Sequence, residues 1–281
     1  ATMLAIQAVG AIPVPLYQDA VAAECVFPLN NAEVRFAMVE DQEQVDKMLE
    51  IRESCSLLTH IWFDDPRGLR KYSEDGLQDL EQLIETGRQF VAQNPGWFRE
   101  TVAKVAPGDV AAMFFTSGTT GNPKGVVHTH FSLLDRAAAG QAFDNLTATE
   151  EVLAYMPLAW IGQNIFSYAQ WLSCGYVVNC PESAATVTID LKEIGPTYYF
   201  APPRIFEGLL TSVMIRMEDA GRIKRGMFHH FMDLARRVGP ALMDGQPVGL
   251  LDKLHYALGT LAVYGPLRNN LGFSRVRVAY T

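Results

Sequence analysis

Short apolar runs alternate along this chain with longer stretches in which apolar residues recur every three or four positions. The first pattern predicts strands and the second predicts amphipathic helices. Residues 1–9 read as the end of a helix, 11–15 as a short strand, and 19–27 as a helix capped by Asp19. Strands are expected at 34–39 and 57–63 with a helix at 41–52 between them. A long helix follows over 77–93, stopped by Asn94-Pro95-Gly96, and a buried strand at 109–115. Beyond residue 125 the alternation repeats: helices at 131–143 and 165–173, strands at 151–156, 176–179 and 198–200, then two long helices at 204–220 and 222–238. A loop at 239–248 and an emerging strand at 275–280 complete the reading. Strands separated by helices are the signature of βαβ units, so the expected class is α/β, with two doubly wound, mostly parallel sheets. The polar stretch 144–149 is the expected join, giving a first subdomain over 1–145 and a second over 146–281.

Composition narrows the partners. Of 281 residues 49% are hydrophobic, enough for packed cores, and 281 residues suit two lobes better than one. With 23 Lys and Arg against 31 Asp and Glu the net charge is −8, so nothing here is built to neutralise a nucleic-acid backbone. Four cysteines show no CxxC spacing, which suggests neither a zinc ribbon nor a disulfide framework and fits a cytoplasmic setting. The apolar start is broken by Gln7, Gly10, Pro13 and Pro15, so neither a spanning helix nor a signal peptide is expected.

The richest chemistry lies in Phe115-Thr116-Ser117-Gly118-Thr119-Thr120-Gly121-Asn122-Pro123-Lys124-Gly125, which follows the strand expected at 109–115. Glycines allow close backbone approach, the hydroxyls of Thr116, Ser117, Thr119 and Thr120 supply donors, and Lys124 supplies a mobile cation. Successive N–H groups in such a turn form an anion cradle, and hydrogen bonds to charged oxygens contribute about 1.5–3 kcal/mol each. The order is not the Walker A loop, where the lysine precedes Ser or Thr, because Gly125 follows Lys124.

Thr116 to Gly125 resembles the phosphate loop of the adenylate-forming superfamily, which includes acyl-CoA synthetases, luciferases and peptide-synthetase adenylation domains. The continuation Val126-Val127-His128-Thr129-His130 is similar too. So are Tyr155-Met156-Pro157-Leu158-Ala159-Trp160 and Arg275-Val276-Arg277-Val278-Ala279-Tyr280-Thr281, the last resembling the strand that leads to an adenine-binding loop. The paired long helices look most like those of long-chain fatty acyl-CoA synthetases. The resemblance implies the N-terminal domain of such an enzyme, with ATP, Mg2+ and coenzyme A as cofactor and co-substrates and a fatty acid as substrate. It implies that Thr116, Ser117, Gly118, Thr119, Thr120, Gly121, Lys124 and Gly125 bind the β and γ phosphates, with Lys124 and Thr119 catalytic. It also leads to the expectation that this N-terminal domain is incomplete at both ends, its second subdomain truncated. The sequence stops before the positions of the superfamily's magnesium-binding glutamate, ribose-binding aspartate and C-terminal lysine, so these residues alone are expected to show little turnover. An aryl-CoA ligase, a peptide-synthetase adenylation domain, or an inactive nucleotide-binding module are the alternatives.

Other residues have two readings each. His128 and His130 share a face if extended, which would suit a metal, but no third ligand is near in sequence and Thr129 capping the next helix is preferred. No metal-ligating set is assigned. Trp160, where relatives often carry histidine, either lines an acyl pocket or packs in a core. Arg222, Lys224 and Arg225 either touch anionic lipid in a peripheral membrane contact or form a solvated helix face. Glu182 and Asp190 read as surface charges, and Met214, Met217, Met227, Phe228 and Met232 as core.

Overall fold

The computed structural model describes residues 1–116 and 121–281, in which the backbone contacts form two compact units. One comprises 1–140 and 156–173, the other 141–155 and 174–281. The chain therefore crosses between units three times rather than once near 145. The reason is the helix beginning at Ile161: its Ala169 packs with Ala111, Leu133 and Ala137 of the first unit, so 156–173 returns there.

In the first unit, β1 (Phe36–Val39), β2 (His60–Phe63) and β3 (Leu77–Asp79) form a parallel sheet in that order, Phe36 opposite His60 and Ile61 opposite Leu77. The helix Gln42–Glu50 connects the first two strands, and its start is fixed by the Asp41 carboxylate accepting the Gln44 N–H at 3.1 Å. Alternation along the strands turns Ala37 and Ile61 inward, onto Cys25, Leu29, Met48, Ile51, Cys55 and Leu58. Phe36, His60 and Trp62 stack on the other face.

Local departures from the expected elements have local causes. Residues 11–15 form no strand: Pro13 and Pro15 lack donors, and the contact made is the Pro13 carbonyl accepting from the Met113 N–H at 3.1 Å. The helix expected at 19–27 runs Ala22–Asn31, because Cys25, Pro28 and Leu29 are the side chains that the core buries. The helix expected from Leu77 begins at Leu80. Pairing with β2 holds Leu77–Asp79 extended, and the Asp79 carboxylate then accepts the Glu81 N–H at 2.7 Å as a cap. Short helices at Trp97–Val102 and Val187–Ile194 carry too few turns for their period to show in the sequence.

In the second unit β6 (Glu151–Leu153) pairs parallel with β7 (Val177–Asn179), and β8 (Tyr198–Phe200) with β9 (Val278–Tyr280). Their core joins Leu153, Leu191, Tyr199 and Ala201, with Phe206, Phe273 and Val276 packed against it. A helical layer follows: Pro203–Glu218, Arg222–Met243 and Leu250–Gly259, then a π-helical turn at Thr260–Tyr264 and Gly265–Leu271. The second helix continues five residues beyond Val238, through Pro240, where the sequence predicts a loop. Burial of Val238 and Gly239 holds that last turn, and the Asp244 N–H closes it onto the Pro240 carbonyl at 2.9 Å. Met214, Met217 and Met232 pack around Phe228, Val263 and Tyr264, whereas Met227 is exposed. Asp190, expected at the surface, is half-buried with Oδ2 shielded; it sits in the first turn of its helix, where the dipole favours a carboxylate.

Candidate functional site

The loop is framed by an antiparallel pair. β4 (Val110–Thr116) runs to it and β5 (Lys124–Thr129) leaves it, with Phe114 opposite Val126, Phe115 opposite Gly125 and Thr116 opposite Lys124. The first strand is anchored: Ala111, Ala112 and Phe114 are buried, and the Phe115 ring meets Phe27 edge-on at a centroid distance of 6.3 Å. The register sets Thr116 opposite Lys124, both exposed, at the loop end of the hairpin. A neutral donor beside a cation suits the oxygens of a phosphate chain. Ser117, Gly118, Thr119 and Thr120 lie outside the described residues.

The two outer glycines serve different ends. Gly121 has φ of +129°, a backbone that side chains rarely adopt, with open space around the position of a Cβ. Gly125 lies in the strand, and a Cβ there would come within 3.1 Å of Met113 Sδ and 3.3 Å of Phe115 Cζ. Its lack of a side chain is required by packing against Met113 and Phe115.

Thr129 caps the helix His130–Asp144: its hydroxyl accepts the Ser132 N–H at 3.1 Å while the Thr129 N–H donates to Ser132 Oγ at 3.0 Å. His128 lies in the strand against the Phe114 ring at 5.7 Å, and His130 opens the helix with its N–H on the Asp109 carbonyl. Because a strand gives way to a helix between them, the two imidazoles do not share an extended face. Among the described residues no group of three or more His, Cys, Asp or Glu could hold a metal ion. A shallow, mainly apolar cavity of about 490 Å³ lies at the far end of β5, lined by Pro107, His130, Phe131 and Leu134, and none of the described residues of the glycine-rich stretch 115–125 borders it.

Trp160 is half-buried at the start of the helix Ile161–Asn164, its N–H on the Pro157 carbonyl at 3.0 Å. Beyond it the sequence gives no signal for a polar interior, yet Gln7, Gln163, Asn164 and Gln170 are buried. Gln7 Nε2 donates to the Ala111 carbonyl at 2.7 Å and Tyr168 donates to Gln7, which ties the N-terminal helix Thr2–Ala8 to β4. Periodicity cannot show which face of a helix a neighbouring strand will cover.

Another constellation went unpredicted in the second unit. Tyr280 donates to both Asp144 oxygens at 2.9 and 3.0 Å, and Arg277 donates to the Asp144 carbonyl and to Glu150 Oε1, each at 2.6 Å. The Thr197 hydroxyl takes the other Glu150 oxygen at 2.6 Å. The segment read as a join is thus a clamp on β9. Tyr155, from the second motif, lies in the same unit, its ring stacked on Tyr199 and its hydroxyl on the Phe200 carbonyl at 3.2 Å. Burial pushes the Tyr155 hydroxyl far above the ordinary phenol range.

Residues 1–266 match the family described as AMP-binding enzyme. The Long-chain-fatty-acid–CoA ligase ACSBG2 of Xenopus laevis is 24% identical over 283 aligned residues, covering 97% of this chain and 37% of that protein. FadD15, a long-chain-fatty-acid–CoA ligase of Mycobacterium bovis, is 27% identical over 270 residues, covering 95% of this chain and 42% of its own. Among solved structures, the anthranilate CoA ligase AuaEII in complex with anthranoyl-AMP superposes with a TM-score of 0.55 at 21% identity, over 71% of this chain and 37% of that one. The α/β architecture and the loop-bearing hairpin are those of an adenylate-forming fold, and the chain belongs to the AMP-binding enzyme family. It spans about two fifths of the length of the curated relatives it matches.

Proposed function

We propose that this chain supplies the triphosphate-gripping part of an enzyme that activates a carboxylate with ATP. The observation that carries the proposal is the pairing of Thr116 with Lys124, which closes the hairpin at the base of the loop. In this reading the acid's carboxylate oxygen attacks the α-phosphorus of ATP, the bond from that phosphorus to the bridging oxygen breaks, and pyrophosphate leaves; the thiol of coenzyme A then displaces AMP to give the thioester. An anion attacking a polyanion needs charge neutralisation and an in-line leaving group, which positioning and electrostatics supply. Thr116 and Lys124 would hold β and γ oxygens, together with Ser117, Gly118, Thr119, Thr120 and the backbone at Gly121 and Gly125. Lys124 contributes most as charge accumulates on departing pyrophosphate, and Thr119 assists it. Mg2+ would neutralise phosphate charge when bound; none of the described acidic residues is assigned to it.

The acid is proposed to be a long-chain fatty acid, which the names of the curated relatives support. Trp160 would line the acyl pocket, and the setting is proposed as cytoplasmic with peripheral membrane contact. The test is pyrophosphate exchange by the full-length protein across fatty acids of increasing length and aryl acids. Exchange that follows long-chain acids and collapses in Lys124→Ala supports the reading; preference for aryl acids supports the aryl-CoA ligase alternative; absence of exchange and of ATP binding overturns both.

A further inference from the structure

The helix Leu250–Gly259 and the π-helical turn after it are apolar on two sides. Tyr256, Gly259 and Val263 face the neighbouring helix Arg222–Met243: Gly259 lies against Phe231, and the Tyr264 hydroxyl donates to the Phe231 carbonyl at 2.5 Å. On the opposite side Leu250, Leu251, Leu254, Leu258 and Leu261 form one stripe, since at 100° per residue they fall within a face about 100° wide. All five are exposed, Leu251 to 76% and Leu261 to 79%. A stripe this apolar is not the usual outer face of a soluble helix. Lys253 and His255 fall on its two flanks, while Asp252 is turned away and bound to Arg237 at 2.9 Å. No helix among the described residues is long and apolar enough to cross a membrane.

Charge identifies the occupant. Residues 203–271 hold nine Lys and Arg against six Asp and Glu, a net +3 in a chain of net −8, so the remaining residues carry −11. Ile223 is 89% exposed between Arg222 and Lys224. A surface that is negative and accepts apolar side chains matches this segment, whereas pairing the same face with its copy would set +3 against +3.

We infer that the leucine stripe 250–261 is a lipid-docking face, which lies in the plane of an anionic membrane with Lys253 on its flank and the net positive charge of residues 203–271 drawing the segment to the headgroups. It rests on the peripheral-contact reading above for the class of partner and names its surface; it is independent of nucleotide binding.

The experiment is co-sedimentation of the full-length protein with phosphatidylcholine vesicles, with and without phosphatidylserine. Binding should require phosphatidylserine, fall with salt, and weaken at least about tenfold in Leu254→Gln/Leu258→Gln/Leu261→Gln. Lys253→Glu should weaken it less, with unchanged melting. Binding by the parent protein that the triple variant retains in full overturns the stripe but leaves peripheral contact standing; no binding by the parent overturns both. A triple variant with a markedly lower melting temperature, or a parent whose self-association without lipid the variant abolishes, would show the stripe packed on protein and overturn the proposal. ATP binding, measured in parallel, should be the same in all variants.

Discussion

Arg277 reaches back to Glu150, donating a 2.6 Å hydrogen bond to a carboxylate whose side chain is only 6% exposed. Arg277 itself is 42% exposed, so water screens part of the attraction. Removing the guanidinium leaves Glu150 shielded with Thr197 as its remaining partner and frees the Asp144 carbonyl that Arg277 also binds. Arg277→Met is expected to cost about 2 kcal/mol of stability in the second unit. Urea unfolding followed by a probe in that unit checks this; a midpoint like that of the parent would mean that the clamp contributes nothing.

Gly272 leaves no room for a side chain. It ends the helix Gly265–Leu271 with φ of +80°, and a Cβ would lie 2.2 Å from the Leu191 carbonyl oxygen, which is backbone and cannot swing aside. Gly272→Ala should cost about 3 kcal/mol or more, from left-handed strain plus overpacking. Gly125→Ala meets a flexible methionine and a ring edge instead, and should cost about 1 kcal/mol. Thermal melts of the two variants should rank in that order.

Lys124 is exposed and makes its proposed contribution only to a ligand. Lys124→Ala should therefore leave the melting temperature within about a degree while lowering pyrophosphate exchange on the order of 100-fold. Parallel losses of stability and exchange would assign Lys124 a folding role.

Alkaline pH should unfold the first unit in a way that Tyr168 governs in part. Burial pushes its hydroxyl from 10.0 up to about 12, so the folded state disfavours the phenolate. The stability this represents is fully present below pH 10 and is lost as pH rises from 10 toward 12, because the unfolded chain releases the proton first. Stability measured from pH 9 to 12 should fall less steeply in Tyr168→Phe. An identical slope in parent and variant would refute the assignment.

Which elements form was largely legible from period and punctuation. The apolar repeat of the long helices, the short runs of β1, β2 and β8, and the turn residues between them are local properties, so the α/β alternation could be read directly. The family was legible for a chemical reason: glycines, hydroxyls and a lysine at fixed spacing form a motif that can be read without reference to the rest of the fold. Leu77–Asp79 was not, because a neighbouring strand converts what would be a first helical turn. Nor was the extension through Pro240, where burial outweighs a poor helix residue.

The sequence by itself determined the family and the Thr129 cap, whereas the helix read as capped by Asp19 starts instead at Ala22 after Val21. Tertiary structure alone decided that Thr116 faces Lys124, that 156–173 returns to the first unit, and that Arg277 and Tyr280 close on Glu150 and Asp144. These are pairings between residues far apart in the chain, and what brings them together is the burial of surfaces that no local pattern can assign to one another.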